Sequence, residues 1–126
     1  MPSSALGILL ISGTYERAHY AFVTATAAAA LGRDVTVFAT NAGCHALLAD
    51  WSGLANADTD AKLVARGVAG FATLRAAATE LGVRLILCEA GLRGNGLEGR
   101  ALHEGVDISG VATFLGATRA GQLLSL

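Results

Sequence analysis

Residues 85–96 read LILCEAGLRGNG, an apolar run that ends in a cysteine and then breaks into glycines. Such a run, bounded by turn residues, is typical of an interior strand that is covered on both faces of a parallel sheet. We predict this strand over residues 84–90 and a loop over residues 91–96. Cys88 is therefore at the end of the strand. Its side chain is either a packing residue at the top of the core or a thiol that is accessible to solvent.

The rest of the chain alternates between apolar, β-branched runs and alanine-rich segments that end at glycines. Four further strands are predicted at residues 7–12, 34–40, 106–109 and 122–126. Helices are predicted at residues 15–31, 60–81, 97–105 and 110–121, with one short helix at 44–50. This order predicts a single α/β domain over residues 1–126, with three α/β/α layers and a mostly parallel five-stranded sheet.

The composition limits the classes of partner. Hydrophobic residues make up 53% of the 126 residues and charged residues 15%, whereas about 25% charged residues is usual. One small domain must then expose much apolar surface, which predicts burial in a homo-oligomer. The net charge is −1 and Lys62 is the only lysine, so no nucleic-acid surface is expected.

No targeting or membrane segment is expected. The first residues carry no positive charge before the apolar run, unlike a signal peptide. The longest candidate for a membrane span, residues 18–32, is too short and mostly alanine. A cytoplasmic location follows, in which the two cysteines are reduced. No metal site is predicted, because Cys44, His45 and Cys88 lack the paired spacing of zinc ligands.

The carboxyl ends of parallel strands gather reactive groups at one edge of the sheet. We expect three loops there: residues 12–14, 41–45 and 89–96. Cys88 precedes a predicted helix, and thiols near a helix N-terminus are more easily ionised. Arg93 would favour the thiolate further if its side chain folds back. The interpretation of Cys88 as a packed core residue stays open at this point.

Cys44 and His45 are accessory candidates in the second loop, as a partner thiol and as a base or anion ligand. If strand one lay between strands two and three, two strand spacings, about 9–10 Å, would separate Cys44 from Cys88. A stable disulfide between them is then not expected. Ser12 and Thr14 could hold a phosphate at the start of the first helix, although Thr14 is better explained as a helix cap.

Three stretches together resemble the DsrE/DsrF-like sulfur-relay family. GRDVTVFATNAGCHALL (residues 32–48) is similar to that family's second-strand region, and GVRLILCEAGL (82–92) resembles its strand with the sulfur-carrying cysteine. EGVDISGVATFLGA (104–117) resembles the segment that closes its domain. The order and spacing agree over nearly the whole chain.

The resemblance implies a five-stranded α/β subunit that assembles into trimers or hexamers. It also implies that Cys88 carries a persulfide and passes sulfur between a donor and an acceptor protein, a sulfurtransferase role that needs no organic cofactor. Two other hypotheses remain. One is a small-ligand or nucleotide-binding module of flavodoxin-like shape, which would use Ser12, Gly13, Thr14 and residues 41–45. The other is a structural subunit that has lost the reaction.

Overall fold

Five strands form one sheet in the computed structural model, which describes residues 5–126. The strands are β1 (Leu6–Leu10), β2 (Val35–Ala39), β3 (Arg84–Cys88), β4 (Asp107–Ser109) and β5 (Gln122–Ser125). Their order across the sheet is β4-β3-β2-β1-β5, and every neighbouring pair is parallel. The predicted α/β class and the five-stranded sheet are confirmed.

Helices cover both faces of this sheet, as the three-layer prediction requires. They are α1 (Tyr15–Ala30), α2 (Thr59–Ala65), α3 (Phe71–Glu80), α4 (Glu89–Gly94) and α5 (Val111–Ala117). A 3-10 helix, Asn41–Leu47, follows β2. Glycines with positive φ, such as Gly32 and Gly82, stand just after α1 and α3, which is the conformation in which a helix commonly stops.

The two faces of the sheet differ in how well they are covered. Alternate residues of a strand point to opposite faces, so the odd-numbered residues of β2 join the large core against α1 and α3. Phe38 points to the other face, where it packs with Ile86, Cys88 and Phe114 in a small cluster. We call this second face the α5 face, because α5 supplies Phe114 to it.

Close packing of α5 depends on a glycine in β1. A Cβ placed on Gly7 would lie 2.9 Å from Cζ of Phe114 and would also clash with Thr118 and Leu123. Only a residue without a side chain lets α5 approach the sheet this closely.

Two helix predictions and one predicted strand–loop boundary are wrong in detail. The segment predicted as one helix over residues 60–81 is two helices, because Gly67 adopts a φ of +80° and ends α2. Residues 97–105 form turns, since Gly99 and Gly105 both have positive φ. The helix after β3 instead begins at Glu89, inside the segment predicted as strand and loop.

The supposed position of strand one is also wrong. β2 lies between β1 and β3, so Ala39 pairs with Leu87 and the ends of β2 and β3 are neighbours. The loops that carry the two cysteines therefore leave adjacent strands, about 4.8 Å apart in the hydrogen-bonding direction.

Candidate functional site

Cys88 is both the last residue of β3 and the N-cap of α4. Its Sγ accepts a hydrogen bond from the backbone N–H of Gly91 at 3.3 Å. The first amides of a helix have no carbonyl partner within that helix, and they favour a negative charge placed among them. The thiol thus occupies the position that an N-cap oxygen usually takes, in a geometry suited to an anionic sulfur.

The Cys88 side chain is more buried than the sequence predicts. It lies on the α5 face beside Phe38, Ile86 and Phe114 and is 8% exposed. The Cys88 residue therefore packs against two aromatic rings and keeps only a small exposed fraction. A small reagent can reach such a group more readily than a large one.

A hydroxyl side chain lies beside Cys88 on the adjacent strand and bonds to a second hydroxyl on α5. Ser109 of β4 is the register partner of Cys88, and register partners in a parallel pair point to the same face. The Ser109 hydroxyl donates to Oγ1 of Thr113 at 2.7 Å. The register thus places a hydroxyl side chain on the same face of the sheet as Cys88.

Cys44 lies in the 3-10 helix and is completely buried. Its thiol donates to the carbonyl oxygen of Ala39 at 3.8 Å. Burial first, and then the charge of the nearby Cys88, raise the pKa of Cys44 to about 11. Cys44 is therefore a neutral thiol near pH 7.

Gly91 lies between the two cysteines. Its N–H reaches Cys88, and a Cβ built on its Cα would lie 3.0 Å from Sγ of Cys44 and 2.8 Å from the backbone nitrogen of Asn41. Helix α4 can rest on the 3-10 helix only because residue 91 has no side chain. The expected separation of Cys44 and Cys88 by an intervening strand is thus wrong, and a single residue contacts both sulfur atoms.

Arg93 does not fold back toward Cys88. Its guanidinium pairs with the Glu89 carboxylate at 3.0 Å, four residues earlier on α4, and both side chains are more than half exposed. An exposed pair of this kind contributes little to stability. The Arg93 guanidinium is therefore engaged by Glu89 rather than by the sulfur of Cys88.

His45 is turned into the following loop. Its Nδ1 is buried without a hydrogen-bond partner, and the ring packs so tightly on Gly53 that a Cβ there would clash with it. Within residues 5–126 no hydrogen bond joins the ring to either cysteine. His45 is therefore placed as a packing residue of the loop rather than as a base for Cys88.

The segment Ser12–Thr14 is closed by its own contacts. The hydroxyls of Ser12 and Thr14 bond to each other at 2.9 Å, and the Thr14 N–H donates to Ser12 Oγ. The first amide of α1, on Tyr15, donates to the carbonyl of Ala55 at 2.8 Å. Thr14 is the N-cap residue as predicted, but its side chain makes no capping bond, and the amide that a phosphate would use is occupied.

Arg75 is a buried residue that the sequence did not single out. From α3 it donates to three backbone carbonyls that follow Cys44, those of Ala46, Leu48 and Ala49, at 2.6–3.3 Å. Burial lowers its pKa to about 10. Arg75 thus fixes the chain that carries Cys44, and no motif in the sequence marks it.

Two kinds of feature are absent from the part of the chain that the structure describes. Between residues 5 and 126, no three His, Cys, Asp or Glu side chains cluster in a way that could hold a metal ion. No helix in the same range is long and apolar enough to cross a membrane.

Comparison with known proteins identifies relatives of this arrangement. The model of the DsrE/DsrF-like family matches residues 5–125. The crystal structure of the ychN protein from E. coli superposes with a TM-score of 0.74 at 17% identity, covering 98% of this chain and 99% of that chain. MTH1491 from Methanobacterium thermoautotrophicum, a protein of unknown function, gives a TM-score of 0.57 at 19% identity, covering 98% and 100%. No curated protein matches the chain.

Proposed function

The chain belongs to the DsrE/DsrF-like family, and on that premise we propose that it is a sulfur carrier that holds sulfane sulfur as a persulfide on Cys88. The family points to a role related to sulfur relay. The observation that supports Cys88 as the carrier is its N-cap position, where the Gly91 N–H donates to its Sγ.

The proposed reaction is an exchange between thiolates and persulfides. The Cys88 thiolate attacks the outer sulfur of a donor persulfide, R–S–SH, and forms Cys88–S–SH. The donor S–S bond breaks and its electron pair leaves with the thiolate R–S⁻. An acceptor thiolate then attacks the terminal sulfur and regenerates the Cys88 thiolate. No net oxidation occurs, so the cycle requires no cofactor.

The surroundings of Cys88 suit each state of this cycle. The thiolate and the persulfide anion both carry negative charge, which the first-turn amides of α4 stabilise. The Ser109 and Thr113 hydroxyls lie beside Cys88 on the same face, where they offer polar contacts to a second sulfur. The Glu89 charge, which would oppose the anion, is neutralised by Arg93.

Assembly into a trimer or hexamer is part of the proposal. Several large apolar side chains are about half exposed on α5 and β5, namely Val111, Leu115 and Leu123. Their exposure beside the thinly covered α5 face supports burial against other copies of the chain. An assembly there would also bring a neighbouring copy close to the face of the sheet on which Cys88 lies.

The proposed setting is the cytoplasm, where thiols remain reduced. Both cysteines are free thiols in the structure. The donor and the acceptor are proposed to be proteins with reactive thiols, which exchange sulfur with Cys88 directly.

The test is to locate transferred sulfur on the chain. Reduced wild-type protein is mixed briefly with a low-molecular-weight alkyl persulfide, quenched with an alkylating reagent and digested for peptide mass spectrometry. The expected result is an alkylated persulfide on the peptide containing Cys88, with none on that peptide from Cys88→Ser. Sulfur at neither cysteine would refute the carrier function and favour a structural subunit.

A further inference from the structure

Two thiols meet at one glycine in this structure, and only one of them is needed to carry sulfur. We propose that Cys44 is a resolving thiol, which attacks the Cys88 persulfide, closes a Cys44–Cys88 disulfide and releases hydrogen sulfide. This inference rests on the proposed function of Cys88 and adds a second reaction that consumes the persulfide.

The first observation is the proximity of the sulfur atoms. The Gly91 N–H is 3.3 Å from Sγ of Cys88, and the position of a Cβ on the same residue is 3.0 Å from Sγ of Cys44. Both sulfur atoms therefore lie beside the same residue, and they are close enough for the charge of Cys88 to act on the Cys44 thiol. The adjacency of β2 and β3 keeps both cysteine-bearing segments at the same edge of the sheet.

The second observation is the absence of a side chain in that space. Residue 91 lies within α4, where alanine is the best helix former and glycine costs about 1 kcal/mol. Its Cβ position is filled by Asn41 N, Cys44 Sγ and Thr40 Oγ1, all within 3.0 Å. Glycine at this place lets α4 pack against the 3-10 helix, so no side chain of residue 91 stands between the two thiols.

The chemistry balances without an external oxidant. The Cys44 thiol loses its proton, and the thiolate attacks Sγ of Cys88 in Cys88–S–SH. The persulfide S–S bond breaks, and its electron pair leaves with hydrosulfide, which takes up the proton to give hydrogen sulfide. The sulfane sulfur is thereby reduced to sulfide, while the two cysteines are oxidised to a disulfide. A dithiol reductant then restores both thiols.

The position of Cys44 makes disulfide closure slow relative to the transfer of sulfur from Cys88 to an acceptor. Its burial and raised pKa keep the attacking thiolate scarce near neutral pH. A disulfide also needs a sulfur–sulfur distance of about 2.05 Å, so α4 or the 3-10 helix must shift before the bond can form. Discharge is thus slow compared with passage to an acceptor thiolate that is already ionised.

The experiment follows the mass of the intact chain and the sulfide released. Reduced wild-type and Cys44→Ala proteins, each checked for folding by circular dichroism, are incubated anaerobically with an alkyl persulfide and freed of it. We expect wild type to lose the mass of two hydrogen atoms and to release one sulfide per chain. Cys44→Ala should instead retain the mass of one additional sulfur atom.

Each outcome bears on a different part of the proposal. If wild type and Cys44→Ala both retain the extra sulfur and release no sulfide, the resolving role is refuted while the carrier function stands. If neither protein takes up sulfur, the carrier function itself fails and the resolving role fails with it.

A matched pair of glycine variants tests the geometry without removing a thiol. Gly91→Ala inserts a methyl group beside Cys44 Sγ, whereas Gly94→Ala adds one to open space in the same helix. Disulfide closure should slow about tenfold or more in Gly91→Ala, because misplacement of reacting groups is costly in rate, and should be unchanged in Gly94→Ala. Equal rates in the two variants would contradict the proposed path through residue 91.

Discussion

The backbone N–H of Gly91 donates to the sulfur of Cys88 at 3.3 Å, and Cys88 precedes Gly91 by three residues in the chain. This contact joins the end of an interior strand to the first turn of α4, and it concerns one of the two cysteines only. The chemical difference between Cys88 and Cys44 follows from it and from the complete burial of Cys44.

The two thiols should react with alkylating reagents at very different rates. With a pKa of about 11, Cys44 is ionised to roughly one part in a thousand at pH 8, and its sulfur is enclosed. Native protein treated with iodoacetamide should be labelled first at Cys88, with Cys44 labelled only after denaturant is added. Peptide mass spectrometry gives the two rates, and labelling of Cys44 first would contradict this assignment.

Cys44 should make the protein less stable in alkali. Below about pH 9 the thiol is protonated in both folded and unfolded chains, whereas above pH 9 the unfolded chain ionises first. Stability is therefore lost as pH rises from about 9 to 11, by about 2–3 kcal/mol in total. The loss over this interval, measured by urea unfolding, should be smaller by that amount in Cys44→Ala. Parallel curves for the two proteins would show that Cys44 is not held neutral.

Removal of Arg75 should destabilise the fold. Arg75→Met would leave the carbonyls of Ala46, Leu48 and Ala49 without their donor, at a cost of about 2–4 kcal/mol in the free energy of unfolding. Arg17 is exposed on α1, so Arg17→Met should change stability by less than about 0.5 kcal/mol. Urea denaturation of both variants checks the difference, which would vanish if Arg75 were dispensable.

A charge on the outer surface of α5 should reduce the size of the assembly. Leu115 is 50% exposed beside the α5 face, and Leu81, at the end of α3, is 45% exposed. Leu115→Arg should shift the molar mass in light scattering from that of a trimer or hexamer toward the 12.7 kDa chain, while Leu81→Arg should not. A wild-type protein that is already monomeric would refute this interface.

The sheet and its edge could be predicted from sequence because their signals are local. Apolar runs such as residues 85–88 have the length and bounds of buried strands, and strands that alternate with helices form parallel sheets. Cys88 could be placed at the end of its strand for the same reason.

The neighbours of Cys88 could not be predicted in the same way. The order of strands depends on packing between distant segments, so the position of β2 beside β3 and the meeting of Cys44 with Gly91 leave no local pattern. The start of α4 was missed because Gly91 and Gly94 indicate a loop by propensity, whereas packing on the 3-10 helix overrides that preference. Arg75 looks like any helical arginine until its carbonyl partners are known.

The most direct test of Cys88 as the sulfur carrier uses a chain in which Cys88 is the only thiol. Cys44→Ala protein and the Cys44→Ala/Cys88→Ser double variant are incubated with the same alkyl persulfide, and their intact masses are compared. If Cys88 carries sulfur, the single variant alone should gain the mass of one sulfur atom, and an added thiol should remove it. An unchanged mass in the single variant, or an equal gain in the double variant, would contradict the claim that Cys88 carries sulfur.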